Sequence, residues 1–139
     1  MSQSDLPKAT ILIVDDVDDI RFGLRLLLKK HGYAVLEAQD GREAEKIAKA
    51  EQPDLILMDL FMPKHDGFTS AREIHRAAEL QDVPIIAISA YGDLGIEPQL
   101  RQDARATGFA AYVAKPFDPN ELLKIIERLL PNKSLRLAK

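Results

Sequence analysis

The chain has 139 residues, of which 46% are hydrophobic and 29% charged, with a formal net charge of −3. This profile fits one soluble globular domain with its own core and excludes an intrinsically disordered chain. The lack of cysteine excludes disulfides and thiolate metal sites, the net charge gives no basic field for nucleic acid, and no apolar run reaches the roughly 20 residues of a membrane span.

The N-terminus is polar over residues 1–9 and lacks the apolar stretch of a signal peptide. We therefore expect an uncleaved, cytoplasmic protein. We expect residues 1–8 to be disordered, residues 9–131 to form the domain, and residues 132–139 to be a flexible tail.

Five short apolar runs follow along the chain, and each precedes a longer amphipathic segment. Three of the five are continuously apolar and rich in Ile, Leu and Val, which is typical of strands buried on both faces of a parallel sheet. The predicted strands are residues 10–14, 34–37, 55–58, 85–88 and 110–113. The alternation of strand and helix predicts an α/β domain with right-handed crossovers.

The amphipathic segments predict five helices. Four of them cover about residues 17–30, 41–50, 67–79 and 97–107. Gly32 is suited to cap the C-terminal end of the first helix. The fifth helix begins after Asp118, which is a good N-cap, with Pro119 at its first position, and it ends at Pro131.

Carboxylates stand at the ends of two strands. Asp15 and Asp16 follow the first strand, and Asp59 follows the third. In open parallel sheets, ligands bind outside the carboxyl ends of the strands, where the strand order reverses. In the flavodoxin-like order 2-1-3-4-5, strands one and three are neighbours at that point, so the three carboxylates should share one crevice.

Three like charges in one crevice are unfavourable, and a cation relieves the repulsion. Oxygen ligands without His or Cys suit Mg²⁺ better than zinc, and Mg²⁺ held by carboxylates leaves room for phosphate oxygens. Ser89 follows the fourth strand with a hydroxyl, and Lys115 follows the fifth with a positive charge. Together these groups indicate a phosphoryl-transfer site with Asp59 as the nucleophile.

Four segments then carry a specific resemblance. They are ILIVDD at residues 11–16, LMDLFMP at 57–63 with DG at 66–67, ISA at 88–90 and YVAKPF at 112–117. These segments resemble the receiver domains of two-component response regulators, over about residues 9–131. The resemblance implies a flavodoxin-like doubly wound (βα)5 fold, with a five-stranded parallel sheet in the order 2-1-3-4-5 and helices on both faces.

The resemblance also implies roles at the site. Asp59 would be the phosphoacceptor and Asp16 the main Mg²⁺ ligand. Asp15 would act largely through water and by positioning. The carbonyl of Phe61 would complete the metal shell, with Asp59 as a further ligand.

A second group of residues matches the parts of the family that assist and transmit phosphorylation. Lys115 matches the family's lysine, and its bond to Pro116 is expected to be cis. Ser89 and Tyr112 match the family's switch pair. The segment between Ser89 and Lys115 is a few residues longer than the family pattern, and we place the extra residues in 91–98.

As a receiver, the protein would be a signalling phosphoacceptor rather than a metabolic enzyme. The donor would be a histidine kinase or a histidine phosphotransfer protein. The signal would pass to a downstream target protein through the face formed by the fourth helix, fifth strand and fifth helix. We expect a monomer or weak dimer with no direct contact to nucleic acid or membrane.

Other interpretations remain open at this stage. Asp15 and Asp16 could simply cap the first helix, and Tyr112 could be an ordinary strand aromatic. An aspartate-based phosphohydrolase is one alternative function, but its second acid would stand where the chain has Phe61. A phosphorylation-independent pseudo-receiver is another, and so is a receiver fragment of a larger regulator or hybrid kinase.

Overall fold

The computed structural model describes residues 6–60, 67–89 and 108–130. The predicted fourth helix (97–107), the longer segment 91–98 and the predicted tail (132–139) lie outside the described residues, so these predictions stay untested. Phe61 and Tyr91 lie outside them as well.

Five parallel strands form a single sheet in the order β2-β1-β3-β4-β5, which confirms the predicted topology. The strands are β1 (Thr10–Val14), β2 (Ala34–Ala38), β3 (Leu55–Asp59), β4 (Ile85–Ser89) and β5 (Ala111–Ala114). The bounds of β1 agree with the prediction, and those of the other four strands differ from it by one residue. In particular, Asp59 and Ser89 are the last residues of β3 and β4 rather than the first residues after them.

Helices cover both faces of the sheet. They are α1 (Asp18–Lys30), α2 (Gly41–Glu51), α3 (Gly67–Arg76) and a C-terminal helix (Pro119–Leu129). One core lies between the sheet, α1 and the C-terminal helix, with Ile11 and Ile13 among its members. The other core lies between the sheet, α2 and α3, with Leu12 and Val14 among its members. Successive β1 residues thus enter opposite cores, which explains why the strand is apolar throughout.

The prediction of a third helix running to residue 79 was wrong. The α-helix ends at Arg76, and a 3-10 turn follows at Ala78–Leu80. Ala77 between them has an extended backbone, so the helical hydrogen-bond ladder stops there. The turn buries Leu80 in the core under α2 and α3, and this tertiary contact overrides the helical propensity of the segment.

The predicted helix caps are present. Gly32 has a φ of 91°, in the left-handed region that favours glycine, and its N–H donates to the Lys29 carbonyl at 3.0 Å. The Asp118 carboxylate accepts from the Asn120 N–H at 2.8 Å, and Pro119 opens the C-terminal helix. None of the helices in the described ranges has the length and apolar character needed to cross a membrane.

Candidate functional site

Three carboxylates converge at the carboxyl ends of β1 and β3. These strands are hydrogen-bonded neighbours, with Val14 beside Met58, so the turn after β1 lies next to the end of β3. Asp15, Asp16 and Asp59 each offer one carboxylate oxygen, and the three oxygens all lie within 4.8 Å of one another. Asp15 and Asp59 are buried, whereas Asp16 is exposed. The structure therefore brings together the acidic residues selected from the sequence and leaves one side of the cluster open to solvent.

Lys115 reaches into this cluster from the end of β5. Its Nζ lies 3.0 Å from Asp15 Oδ2 and 3.8 Å from Asp59 Oδ2, and only 16% of its side chain is exposed. Its backbone N–H donates to the Ser89 carbonyl at 2.7 Å, which fixes the end of β5 to the end of β4. The bond from Lys115 to Pro116 is cis, as predicted. The lysine thus supplies a fixed cation between two buried carboxylates.

The two predicted switch residues lie on β4 and β5. Ser89 is fully buried and ends β4, beside the site. Tyr112 pairs with Ala87 across the two strands and packs against the core under α2 and α3. The hydroxyl oxygen of Tyr112 is buried. The two residues thus lie on adjacent strands, Ser89 at the end of β4 and Tyr112 within β5.

The Asp15 side chain makes contacts with two parts of the chain. Its Oδ1 accepts the N–H of Val17 at 2.9 Å, while Oδ2 faces Lys115. Val17, rather than either aspartate, is the N-cap residue of α1, and its side chain makes no capping hydrogen bond. The interpretation of Asp15 and Asp16 as simple helix caps is therefore wrong. The Asp15 carboxylate organises the turn between β1 and α1 and faces the site as well.

Two residues to which the sequence analysis assigned no role also shape this site. Gly67 packs so closely on the backbone after β3 that an added Cβ would lie 2.6 Å from the Asp59 carbonyl oxygen. Arg21 is buried, and its Nη1 donates to the Asp15 carbonyl at 2.6 Å. The signal for Arg21 was its spacing, since it lies three residues before Leu24 on the buried face of α1. Gly67 was part of the DG pair in the family resemblance, but its close contact with the Asp59 backbone could not be read from the sequence.

The donor set fits a hard divalent cation. All three converging side chains are carboxylates, and the cluster is partly open, which suits the oxygen ligands and retained waters of Mg²⁺. The same donors would not suit zinc, which prefers nitrogen and sulfur. The site thus combines a place for a cation, a buried central carboxylate and a fixed lysine.

The fold and this site define the class of protein. The family described as the response regulator receiver domain matches residues 11–127, and the chain belongs to that family. It is therefore a receiver domain of the kind found in two-component signalling.

Individual relatives agree with this assignment. The chain is 34% identical to protein PilH of Pseudomonas aeruginosa, over 88% of this chain and 98% of PilH. It superimposes on the chemotaxis protein CheY4 of Vibrio cholerae with a TM-score of 0.81 and 33% identity, over 88% of this chain and 98% of that one. Several other curated relatives are longer, and the chain spans about half of their length.

A second solved structure bears on the metal. It is the receiver domain of the sensor histidine kinase PA1611 from Pseudomonas aeruginosa, with a magnesium ion coordinated in its active-site cleft. The identity is 34% and the TM-score 0.78, over 88% of this chain and 97% of that one. Receiver domains thus occur both in short proteins and within sensor kinases.

Proposed function

We propose that this receiver accepts a phosphoryl group on Asp59, in a reaction that depends on Mg²⁺, and so acts in a two-component phosphorelay. One observation carries the proposal. Three carboxylate oxygens lie within 4.8 Å of one another, and the Lys115 amine is 3.0 and 3.8 Å from two of these carboxylates. A bound cation relieves the repulsion between crowded carboxylates, and Mg²⁺ held by carboxylates leaves room for phosphate oxygens.

The chemistry follows from the positions of these groups. An oxygen of Asp59 attacks the phosphorus of a donor phosphohistidine and an O–P bond forms. The P–N bond breaks, and its electron pair stays on the imidazole nitrogen, which takes up a proton from water. Lys115 neutralises negative charge on the phosphoryl oxygens. Mg²⁺, held by Asp15, Asp16, Asp59 and the carbonyl of Phe61, would neutralise further charge and orient the phosphoryl group.

The phosphoryl group then changes the signalling face. New acceptor oxygens beside Ser89 would draw its hydroxyl into a hydrogen bond, while Lys115 pairs with the phosphate. Movement of Ser89 would be coupled to the position of Tyr112 on β5. The surface around β5 and the C-terminal helix, together with the predicted fourth helix, would then bind a downstream target with altered affinity.

The proposed partners follow from this chemistry. The donor is a histidine kinase or a histidine phosphotransfer protein, and the recipient of the signal is a target protein. The proposed setting is the cytoplasm, with the receiver a monomer or weak dimer that makes no direct contact with nucleic acid or membrane. A role as one domain of a longer regulator or kinase is compatible with the same chemistry.

Intact mass spectrometry tests the proposal. The protein is incubated with acetyl phosphate, with MgCl₂ or with EDTA, and compared with the Asp59→Asn variant. We expect the wild-type protein to gain one phosphoryl group only with Mg²⁺, and the variant to gain none. Stoichiometric phosphorylation of the variant would contradict the assignment. No uptake by the wild type would instead support a phosphorylation-independent binding module, and repeated turnover of the donor would support a phosphohydrolase.

A further inference from the structure

We propose that Arg21 is a positioning residue that holds the turn at Asp15 and Asp16 in its metal-binding conformation. The inference rests on the proposed Mg²⁺ site and adds a residue to its support. Arg21 lies in the first turn of α1, with its side chain directed under the turn that follows β1.

The contacts of Arg21 join three parts of the chain. Its Nη1 donates to the Asp15 carbonyl at 2.6 Å, and that bond is buried. Its Nη2 pairs with the Asp18 carboxylate in the first turn of α1. Its Nε lies 3.3 Å from Glu37 Oε1 on β2, and Arg25 lies 3.1 Å from the other oxygen of Glu37. Only a planar guanidinium, with five donors in a fixed fork, can serve these three directions at once.

The contact with Asp15 is made through its backbone, and this detail points to positioning. The carbonyl is fixed from below by Arg21, so both carboxylate oxygens remain directed to Val17 and Lys115. Groups that hydrogen-bond to metal-binding residues in this way fix the orientation of the metal ligands.

Positioning explains an arginine at position 21 better than its charge or a contribution to stability does. A buried cation beside a Mg²⁺ site repels the metal, so by charge alone Arg21 would weaken binding. A leucine on the buried face of α1, like Leu24 and Leu28, would fill the space without the desolvation cost of a charge. The placement of Arg21 is instead accounted for by its hydrogen bond to the turn that carries the ligands.

The charge of Arg21 should weaken Mg²⁺ binding, whereas its positioning of the turn should strengthen it. A Mg²⁺ titration of variants separates these two effects. The variants are Arg21→Met, Arg21→Lys and the matched control Arg25→Met, which removes an equal charge and a contact with Glu37 but none with Asp15. Dissociation constants for MgCl₂ are measured by NMR at a temperature where each variant is fully folded. We expect roughly tenfold weaker binding for Arg21→Met. We expect an intermediate value for Arg21→Lys, and unchanged or slightly tighter binding for Arg25→Met.

A second readout needs no metal. The Val17 N–H, which donates to Asp15 Oδ1, should exchange with solvent faster in Arg21→Met than in the wild type or Arg25→Met, all without Mg²⁺. A general loss of stability would instead speed exchange throughout the chain. If Arg21→Met does not fold, Arg21→Lys carries both measurements.

The outcomes separate the two proposals. Weaker Mg²⁺ binding together with local loss of Val17 protection supports the inference. Equal or tighter Mg²⁺ binding by the Arg21 variants, beside a wild type that binds Mg²⁺, overturns the inference and leaves the proposed function intact. A wild type that does not bind Mg²⁺ overturns the proposed metal site, and the inference falls with it.

Discussion

At the scale of single residues, the backbone around Asp59 is packed so closely that position 67 has no space for a side chain. Gly67 starts α3 against the backbone of Asp59 and Leu60, with no space for a side chain. Gly23 in α1 provides a contrast, since a Cβ added there meets nothing within 4 Å. The two glycines should therefore respond to alanine in opposite ways.

We expect Gly67→Ala to lower the free energy of unfolding by about 1–3 kcal/mol, because the new Cβ must displace the backbone at Asp59, the proposed phosphoacceptor. Phosphorylation by acetyl phosphate should also slow. Gly23→Ala should raise stability by about 0.5–1 kcal/mol, since alanine is the better helix former. Urea unfolding monitored by circular dichroism gives both values. A Gly67→Ala variant as stable and as readily phosphorylated as the wild type would contradict the close packing.

Phosphoryl lifetime is a second property of single residues. Phe61 lies two positions beyond Asp59, and Tyr91 lies two beyond Ser89. Both are bulky aromatics, and neither carries a carboxylate or amide to orient a water for in-line attack. Both residues lie outside the described ranges, so this prediction comes from the sequence. We expect slow loss of phosphate, and faster loss in the double variant Phe61→Asn with Tyr91→Glu. Slower loss in the double variant, measured by intact mass after removal of the donor, would show that the argument is wrong.

The sequence predicted some residues of the candidate site and missed others for a physical reason. Asp15, Asp16 and Asp59 could be found because parallel strands direct their carboxyl ends to one edge. Arg21 could not be assigned, because an arginine next to an apolar stripe is usually solvated and only the folded turn shows its acceptor. Gly67 likewise has meaning only through its contact with another segment.

At the scale of elements, the strands were predicted more accurately than the end of α3. A strand that is buried on both faces, such as β3, appears in the sequence as a continuous apolar run, so it can be predicted from its residue types. The end of α3 depends instead on how Leu80 packs in the core, which local propensity does not contain. The predicted capping roles of Asp118 and Gly32 are confirmed, because capping depends on local chemistry that the sequence contains.

Coupling between β4 and β5 gives a prediction at this scale. Ser89→Ala removes the hydroxyl and keeps the backbone bond from Lys115 to the residue 89 carbonyl. We expect this variant to accept phosphate on Asp59 and to transmit it poorly. NMR spectra with and without beryllofluoride should show shifts at Tyr112 and in the C-terminal helix that are large in the wild type and reduced in the variant. Wild-type shifts confined to the loops around Asp59 would contradict the switch.

At the scale of the whole molecule, we expect the acidic cluster to couple Mg²⁺ binding to the stability of the fold. A cation that binds only the folded chain stabilises it by mass action, by about 2.7 kcal/mol when its concentration is 100 times the dissociation constant. We expect the melting temperature to rise with millimolar MgCl₂, and to rise less in Asp16→Asn. NaCl at equal ionic strength serves as the control for charge screening. Equal effects of the two salts on the wild type would show that no specific Mg²⁺ site exists.

The central claim is that Asp59 becomes an acyl phosphate, and borohydride trapping tests it most directly. Borohydride reduces an aspartyl phosphate to homoserine, which tandem mass spectrometry locates in the sequence. After incubation with acetyl phosphate and Mg²⁺, we predict homoserine at position 59, and none when the donor is omitted. Homoserine at another aspartate, or an unmodified position 59 in protein that has gained a phosphoryl group, would contradict the claim.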